Sequence, residues 1–478
     1  MHAACATIAL FGLGSLVHAG AADTSPAKLP PEKLVQDFRI ARRALEEAHS
    51  GIYRYTPKPE MDRIFDQAEK QLDHPMSVAE FYRIVAPVVA AVKCGHTGVQ
   101  MPSATVEGPI LPFRVRILDG KVYIFRDLSS EDGRLAGMEI RSINGVAAQD
   151  ILKTLIAATP ADGDVESSRL YRVSGLTFSR QLSDLTGIRP PFDVVLRDAR
   201  HQEVRAHLQG QMRDRVSDAW RARFPQDQRP KEAASLRYVD DGAVAVLKIN
   251  GFGGRVGGPK PRPLGQFISD TFSELDSKKT ATLIIDLRDN GGGADALGKL
   301  LLSYLVAEPF RYYDDLVINA LKFSFSDYIS GRKTVPAEGL EPQPNGKYRA
   351  VKHPNWGIQQ PSKPTFRGKV YILINGGSFS TTSEFLSHVH FRKRATFIGE
   401  ESAGGYYGNT SGLSLRVVPP NSKVMLGVPI MTYYMAVNGN PAAAHGVVPD
   451  YPVSYTIAEL LSGQDKEMEL ALRMARTK

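Results

Sequence analysis

Cysteine, long apolar runs and basic tracts are all scarce in this sequence. The 478 residues include only two cysteines, Cys5 and Cys94. If Cys5 leaves with an N-terminal signal, Cys94 stands alone, which excludes an intramolecular disulfide and a cysteine metal cluster. No apolar run after the N-terminus has the length of a membrane span. The 59 basic and 51 acidic residues are spread along the chain without an aromatic-rich basic run, so we expect no nucleic-acid partner.

Two common active-site motifs are also missing. There is no Gly-x-Ser-x-Gly elbow, which argues against an α/β-hydrolase. There is no Gly-x-x-x-x-Gly-Lys-Ser/Thr loop either, which argues against a P-loop nucleotide site. The chemistry must therefore be sought in other patterns.

The N-terminus has the pattern of a secretory signal. Residues 5–17 form an apolar run of signal length, and the small residues 19–21 fit a cleavage site. The segment departs from the usual pattern in having His2 but no Lys or Arg before the apolar run. We expect residues 1–22 to be a signal peptide and the mature protein to be exported, periplasmic or secreted, without an integral membrane segment.

The periodicity of apolar residues predicts a multidomain α/β chain. Residues 23–103 have helical spacing, including a capping box at Ser77 and Glu80, and form an N-terminal helical domain. Residues 104–212 change to strand spacing, with a hairpin turn at Asp119-Gly120, and form a β-rich module.

Two further regions follow. Residues 213–234 are charged and contain Pro225 and Pro230, which is typical of a linker. Residues 235–478 alternate strands and helices in the manner of a layered α/β core. Within that core, residues 316–365 are rich in Pro, Gly and Lys, and we expect a long irregular insertion near the site.

A serine follows a glycine turn between a predicted strand and a predicted helix. The strand covers residues 370–374, and the turn after it ends at Ser380. A hydroxyl there meets the N–H groups and positive dipole of a helix N-terminus, where a nucleophile and its oxyanion would both be stabilised. The same residues could instead form an ordinary N-cap.

Two other features could complete such a site. Residues 289–293 (DNGGG) follow a buried strand, and carboxyl ends of parallel strands meet at one crevice. His96 follows the helical domain and reaches that crevice only if the domain docks on the core. Cys94 also allows a thiol-protease reading, although a histidine two residues away is badly placed to activate it.

Together these segments resemble the S41 serine peptidases, the family of C-terminal processing and tricorn-like proteases. The resemblance rests on residues 283–293, 378–385, 397–405 and 446–450. It implies a ClpP/crotonase-like layered α/β core and a PDZ-like module at residues 104–212.

The family resemblance also implies roles for individual residues. It assigns the nucleophile to Ser380 and oxyanion N–H groups to Thr381 and to one of the glycines 291–293, with Gly292 preferred. The processing proteases use a lysine base, and Gly405 stands at its position here. His96 in Gly-His-Thr is similar to the base of the tricorn-like branch. His445 and Glu400 are possible third members, and Asp450 is a further substitute.

The sequence thus predicts an exported serine endopeptidase that acts on peptide or protein substrates, with no metal and no cofactor. Two alternatives remain open. A binding protein on the same fold would use the crevice or the module without turnover. Acyl-CoA chemistry is suggested by the crotonase-like core, but it needs no nucleophilic serine.

Overall fold

The computed structural model describes residues 27–103, 108–228, 230–257, 260–439 and 443–477. The expected signal peptide, residues 1–22, lies outside the described residues. Across these described ranges, every helix is too short or too polar to cross a membrane.

Three helices form the N-terminal region. They are α1 (Pro31–Ala48), α2 (Lys58–Glu69) and α3 (Val78–Ala90). The capping box expected from the sequence begins α3, where Ser77 and Glu80 exchange side-chain and backbone hydrogen bonds. The apolar faces of these helices share one hydrophobic core with the C-terminal region. The N-terminal region is therefore packed firmly onto the rest of the chain.

Residues 109–212 form a module around an antiparallel sheet with its own hydrophobic core. The sheet order is Glu203–Leu208, Phe192–Arg197, Glu139–Ile143, Lys121–Asp127 and Phe113–Leu118, with Val146–Ala147 paired to Glu139–Ile143. Helices α4 (Ala148–Ala157), α5 (Glu166–Val173) and α6 (Leu176–Gln181) belong to the module, and a π-helical turn at Leu182–Thr186 follows α6. Asp119 and Gly120 both have positive φ, which the expected hairpin turn requires.

The segment predicted as a linker contains a helix. Helix α7 (Arg213–Arg223) lies within residues 213–234, and a 3-10 turn at Pro225–Asp227 follows it. Val216 of α7 is fully buried and packs with a small apolar cluster of the module. Few apolar residues of this charged helix face inward, and for this reason its composition is like that of a linker.

The core contains a six-stranded sheet. Its order is Ala234–Val239, Val244–Ile249, Thr282–Asp286, Lys369–Ile374, Thr396–Gly399 and Tyr451–Pro452. The first pair is antiparallel and the other pairs are parallel. The accompanying helices are α8 (Leu264–Ser277), α9 (Asp295–Ser303), α10 (Thr381–Phe391), α11 (Ile457–Ser462) and α12 (Lys466–Arg476). The carboxyl ends of the two central strands lie side by side, as expected for a crevice at this edge.

A second, antiparallel sheet joins the N-terminal region to the core. Its strands are Ile329–Ser330, Gly408–Val417, Met425–Met435, Tyr313–Ile318, Tyr348–Ala350 and Leu340–Pro342, with Gly98–Gln100 paired to Met425–Met435. Residues 316–365, expected to be irregular, thus supply short strands to this sheet. Four two-stranded ribbons complete the described strands: Lys28–Leu29 with Met76–Ser77, Pro109–Ile110 with Gln211–Met212, Arg255–Val256 with Arg262–Pro263, and Phe310–Arg311 with Ile358–Gln359.

Candidate active site

Ser380 lies at a sharp turn between a strand and a helix. The strand Lys369–Ile374 ends six residues before it, and α10 begins at the next residue, Thr381. Ser380 has φ 58° and ψ −128°, a backbone conformation that a non-glycine residue adopts only under strain. Its side chain makes no capping hydrogen bond to α10. The hydroxyl therefore points away from the helix that it precedes, unlike an ordinary N-cap.

Hydrogen bonds join the turn that ends at Ser380 to the glycine turn at residues 289–293. The Ser378 hydroxyl donates to the carbonyl of Leu287 at 2.9 Å, and the Phe379 N–H donates to the carbonyl of Asn290 at 3.0 Å. The Thr381 hydroxyl donates to the Gly293 carbonyl at 2.8 Å. These bonds hold the two turns in one fixed arrangement.

His96 faces the Ser380 hydroxyl. Its Nε2 lies 3.0 Å from Ser380 Oγ. The imidazole ring stacks on the Phe379 ring, with 4.4 Å between the ring centroids. A Cβ atom on Gly95 would come within 2.7 Å of the Phe379 ring, so a glycine is needed for this stacking. The strand Gly98–Gln100, which joins the second sheet, fixes the segment that carries His96.

Asp162 lies near His96, and no motif in the sequence predicts it. Its carboxylate, one ring nitrogen of His96 and the Cys94 sulfur all lie within 4.8 Å of one another. The two carboxylate oxygens accept the N–H of Gly95 at 2.7 Å and the N–H of Gly405 at 3.2 Å. His96 Nδ1 is buried and has no hydrogen-bond partner among the described residues. Asp162 is thus a buried acid beside the His96 imidazole.

Three regions of the chain meet at this point. His96 follows the N-terminal helices, Asp162 belongs to the loop before α5 in the module, and Ser380 belongs to the core. The loop of Asp162 is also held from the C-terminal side, because the Asp164 N–H donates to the Ala444 carbonyl at 2.7 Å. Side chains from all three regions are needed to form the arrangement.

Burial controls the protonation of the two groups next to Asp162. It lowers the pKa of His96 to about 4, although the charge of Asp162 acts in the opposite direction and that of Arg172 reinforces burial. Burial also raises the pKa of Cys94 to about 11, and the Cys94 sulfur donates to the Thr410 carbonyl. At neutral pH the imidazole is therefore neutral and the cysteine is a thiol, which argues against a cysteine nucleophile.

The backbone N–H groups near Ser380 are the candidate donors to an oxyanion, and Gly292 was the glycine preferred for this role. The Gly292 N–H donates to the Asn290 side-chain oxygen at 3.0 Å and is already engaged. Gly293 forms a parallel bridge with Phe252, in which the Gly292 carbonyl and the Ala294 N–H bond to Phe252. The N–H and carbonyl of Gly293 itself therefore face away from Phe252, and the carbonyl accepts the Thr381 hydroxyl. No hydrogen bond from the Gly293 or Thr381 N–H is found in the described part of the chain. Gly293 and Thr381 thus offer N–H groups next to Ser380.

Gly292 contributes by its size. It has φ 96°, and a Cβ atom there would come within 2.6 Å of Ser380 Cβ. Only glycine therefore lets the two turns approach this closely.

The structure does not bring the expected third members to His96. His445 is exposed and its Nδ1 lies 3.3 Å from Glu401. Glu400 accepts the Gly376 N–H at 3.5 Å, and burial raises its pKa. Asp450 accepts the Phe397 N–H at 2.8 Å. Asp162, which comes 66 residues after His96 in no recognisable motif, is an acid that does lie within 4.8 Å of a ring nitrogen of His96.

Gly405, which stands at the position of the processing-protease lysine, has no room for a side chain. A Cβ atom on Gly405 would come within 2.5 Å of the Tyr55 hydroxyl and 2.8 Å of the Gly408 carbonyl. A lysine base cannot occupy this position without displacing both groups. His96 is the basic side chain that contacts Ser380 instead.

Cys94, His96 and Asp162 also have the donor types of a zinc site. Both Asp162 oxygens, however, already accept backbone N–H groups, and His96 Nε2 faces Ser380. The arrangement is better suited to moving a proton than to holding a metal ion.

Part of the chain matches a known protein family. Residues 243–453 match the model of Peptidase family S41. A search of curated proteins finds no match to the chain. The matched region contains Ser380 and the glycine turn, whereas His96 and Asp162 lie before it.

Solved structures of CPAF have a similar fold over almost the whole chain. A point mutant of CPAF is 14% identical with a TM-score of 0.66, its lactacystin complex is 16% identical with 0.64, and mature CPAF is 15% identical with 0.62. In each case 93% of this chain is covered, together with 97% or 98% of the CPAF chain. At such identities the likeness extends to the fold alone.

Proposed function

We propose that this chain, a serine-type peptidase whose residues 243–453 match Peptidase family S41, is an exported endopeptidase that cleaves peptides or unfolded proteins. The observation that carries the proposal is the 3.0 Å separation of His96 Nε2 and Ser380 Oγ. This distance suits direct proton transfer from a serine hydroxyl to a neutral imidazole.

In the first step Ser380 Oγ attacks the carbonyl carbon of the scissile peptide bond, and its proton moves to His96 Nε2. The carbonyl oxygen becomes an oxyanion. The N–H groups of Thr381 and Gly293 are the donors we assign to that oxyanion, since the Gly292 N–H is held by Asn290. The N-terminal end of α10 adds its positive dipole to the same place.

In the second step His96 returns its proton to the leaving amine, and an acyl ester remains on Ser380. A water molecule then attacks the ester, with His96 again taking a proton. The carboxylic acid product leaves and the serine is restored. The low pKa of His96, about 4, keeps the imidazole neutral before each step and makes the imidazolium a strong acid for the leaving amine.

We propose that Asp162 stabilises the His96 imidazolium that forms between these steps. Its charge lies within 4.8 Å of the ring in a buried site, where electrostatic stabilisation is strong. A neutral His96 that accepts a proton at Nε2 carries its own proton on Nδ1, the nitrogen that has no partner in the described ranges. Asp162 favours this tautomer.

The module at residues 109–212 supports the choice of a peptide substrate. We propose that it is PDZ-like, since it combines an antiparallel sheet with a helix, α4, on one hydrophobic core. Such modules bind extended peptides at a sheet edge. The module also supplies Asp162, so peptide binding and catalysis involve one structural unit.

Hydrolysis of a mixed pool of unstructured peptides tests the proposal. We expect cleavage by the wild type and a loss of at least about a thousandfold in Ser380→Ala and His96→Ala. The exposed Ser414 supplies a matched control, Ser414→Ala, which should cleave normally. Absence of turnover by a folded wild type would favour the binding protein instead.

Covalent labelling identifies the nucleophile independently of the substrate. CPAF has been solved in complex with lactacystin. We expect lactacystin to acylate Ser380, detected as a mass increase that Ser380→Ala abolishes and Ser414→Ala retains. Export has its own test, since the N-terminus of the secreted protein should begin at Asp23. A secreted form that retains residues 1–22 would contradict the predicted signal.

A further inference from the structure

A cavity of about 660 Å³ lies between the module and the parallel sheet. We call it the arginine cavity. Its basic side chains are Arg114, Arg116, Arg172, Arg180, Lys248 and Arg288, and its acidic side chains are Asp227 and Asp289. The lining therefore has a strong excess of positive charge.

Two of the basic groups are neutralised within the protein. Arg288 forms ion pairs with Asp286 at 2.9 Å, Asp465 at 2.6 Å and Glu467 at 3.2 Å. Lys248 lies 3.2 Å from Asp286. These pairs leave little of either charge for a ligand.

Arg114 and Arg116 are poorly neutralised. Arg114 lies 3.5 Å from Asp227, but that carboxylate already accepts two hydrogen bonds from Arg126, at 2.8 and 3.0 Å. Arg114 Nε and Nη1 are buried and have no hydrogen-bond partner in the part of the chain that the structure describes, while the guanidinium lies 3.9 Å from the centroid of the Trp220 ring. Arg116 lies 5.0 Å from the Phe125 ring and has no ion pair in the described ranges. Burial and Arg116 together lower the pKa of Arg114 to about 10, as expected for a site short of negative charge.

Arg172 connects the cavity to the nucleophile turn. Its guanidinium lies 4.6 Å from the Phe379 ring, next to Ser380, and has no hydrogen bond or ion pair among the described residues. The Tyr171 ring, also in the lining, contacts Gly377 of the same turn, because a Cβ atom there would come within 2.6 Å of it. A chain bound across Ser380 thus passes the mouth of the cavity.

We infer that the arginine cavity binds an acidic side chain of the substrate, through the guanidinium groups of Arg114, Arg116 and Arg172. A carboxylate accepts two parallel hydrogen bonds from a guanidinium, and it would satisfy donors that are now buried without acceptors. The inference rests on the proposed function and specifies its substrate as peptides with Asp or Glu near the scissile bond. It concerns selectivity and leaves the chemistry at Ser380 unchanged.

The test compares pairs of peptides that differ only by Glu or Gln at single positions around the cleaved bond, all with amidated C-termini. The inactive Ser380→Ala protein is used for binding by fluorescence anisotropy, so that the result does not depend on hydrolysis. We expect the Glu peptide to bind roughly ten- to a hundredfold more tightly at one position. The preference should weaken as sodium chloride is added.

A second substitution in the Ser380→Ala protein shows which arginines cause the preference for Glu over Gln. Arg116→Gln and Arg172→Gln should each remove most of it. Arg205→Gln deletes the same charge from an exposed, ion-paired arginine of the module and should leave the preference intact. Thermal melting checks that each variant is folded, and the salt titration tests the inference without any arginine variant.

Several results would overturn the inference. Equal binding of Glu and Gln peptides at every position would do so, as would a preference that persists in folded Arg116→Gln and Arg172→Gln proteins. In a parallel set of the same peptides with free C-termini, tighter binding that depends only on the terminal carboxylate would reject the side-chain assignment. A preference in binding without wild-type hydrolysis would instead reject the peptidase proposal and leave the cavity assignment standing.

Discussion

Asp162 lies within 4.8 Å of a ring nitrogen of His96, yet no hydrogen bond joins the two side chains. Both oxygens of Asp162 are taken by backbone N–H groups from the segments on either side of the site. The acid therefore acts on the imidazole through its charge and through the position of Gly95, rather than as a direct hydrogen-bond acceptor.

The first prediction concerns Asp162→Asn. Loss of the charge should lower kcat about 10- to 100-fold with little change in KM, less than the loss of about 10⁴-fold for an aspartate bonded directly to its histidine. Because the Asp162 charge raises the pKa of His96, the acidic limb of kcat/KM should also move to lower pH. Asp164→Asn, an exposed neighbour, is the control. An unshifted limb would mean that Asp162 acts only on the fold.

The second prediction concerns the pH dependence of the wild type. His96 must be neutral to accept the serine proton, and burial lowers its pKa from 6.5 to about 4. Activity should therefore persist below pH 6 and fall only as pH approaches 4. The measurement is kcat/KM from pH 3.5 to 8, with circular dichroism to exclude unfolding. A limb near pH 6.5 would contradict the buried setting of this histidine.

The third prediction separates strain from chemistry at Ser380. Ser380→Ala and Ser380→Gly should both be inactive. Alanine keeps the strained backbone at φ 58°, ψ −128°, whereas glycine adopts it easily. The glycine variant should be more stable than the alanine variant by about 1 kcal/mol, since relief of 1–3 kcal/mol is partly offset by unfolded-state entropy. Chemical denaturation measures the difference, and equal stabilities would argue against strain.

The fourth prediction concerns Gly405→Ala. The new Cβ atom would meet the Tyr55 hydroxyl and the Gly408 carbonyl, and the resulting shift would disturb the N–H that Gly405 donates to Asp162. We expect a destabilisation of about 1–3 kcal/mol together with a lower kcat. Gly98→Ala has open space around its Cβ atom and should be close to neutral. Wild-type behaviour of Gly405→Ala would show that the turn adapts easily.

The fifth prediction concerns Glu384, which is buried one turn into α10. Burial raises its pKa from 4.5 to about 7, with Asp295 adding to the effect, while Asn409 and Tyr313 donate hydrogen bonds to it. The folded state therefore binds this proton more tightly than the unfolded state. Stability from this group is complete below pH 4.5 and is lost as pH rises through 7, by on the order of 3 kcal/mol.

Glu384→Gln tests that pH dependence. The amide cannot ionise, and its NH₂ group could donate to Asn409 Oδ1, which has no partner in the described part of the chain. The free energy of unfolding should become flatter between pH 4.5 and 7 in this variant. An unchanged slope, measured by urea denaturation at several pH values, would assign the pH dependence to other groups.

The sequence singled out both His96 and Ser380, whose side chains lie within hydrogen-bond distance. It could do so because glycine turns and predicted strand ends indicate where a crevice forms. It could not reveal Asp162, whose loop has no motif and meets His96 only through tertiary packing. Nor could it show that the Gly292 N–H is held by the Asn290 side chain, since the direction of an N–H depends on φ and ψ rather than on residue type. Helix α7 was missed for a related reason, because its burial depends on one valine and a few apolar neighbours.

The meeting of three regions at one site has a consequence for biosynthesis. Ser380 comes 284 residues after His96, and the loop of Asp162 is held by a segment later still. A chain that is still being made therefore has no assembled site, however well its first domains have folded. The peptidase should first gain activity when synthesis is almost complete, so that truncated products and partly made chains present no proteolytic risk to the cell that makes them.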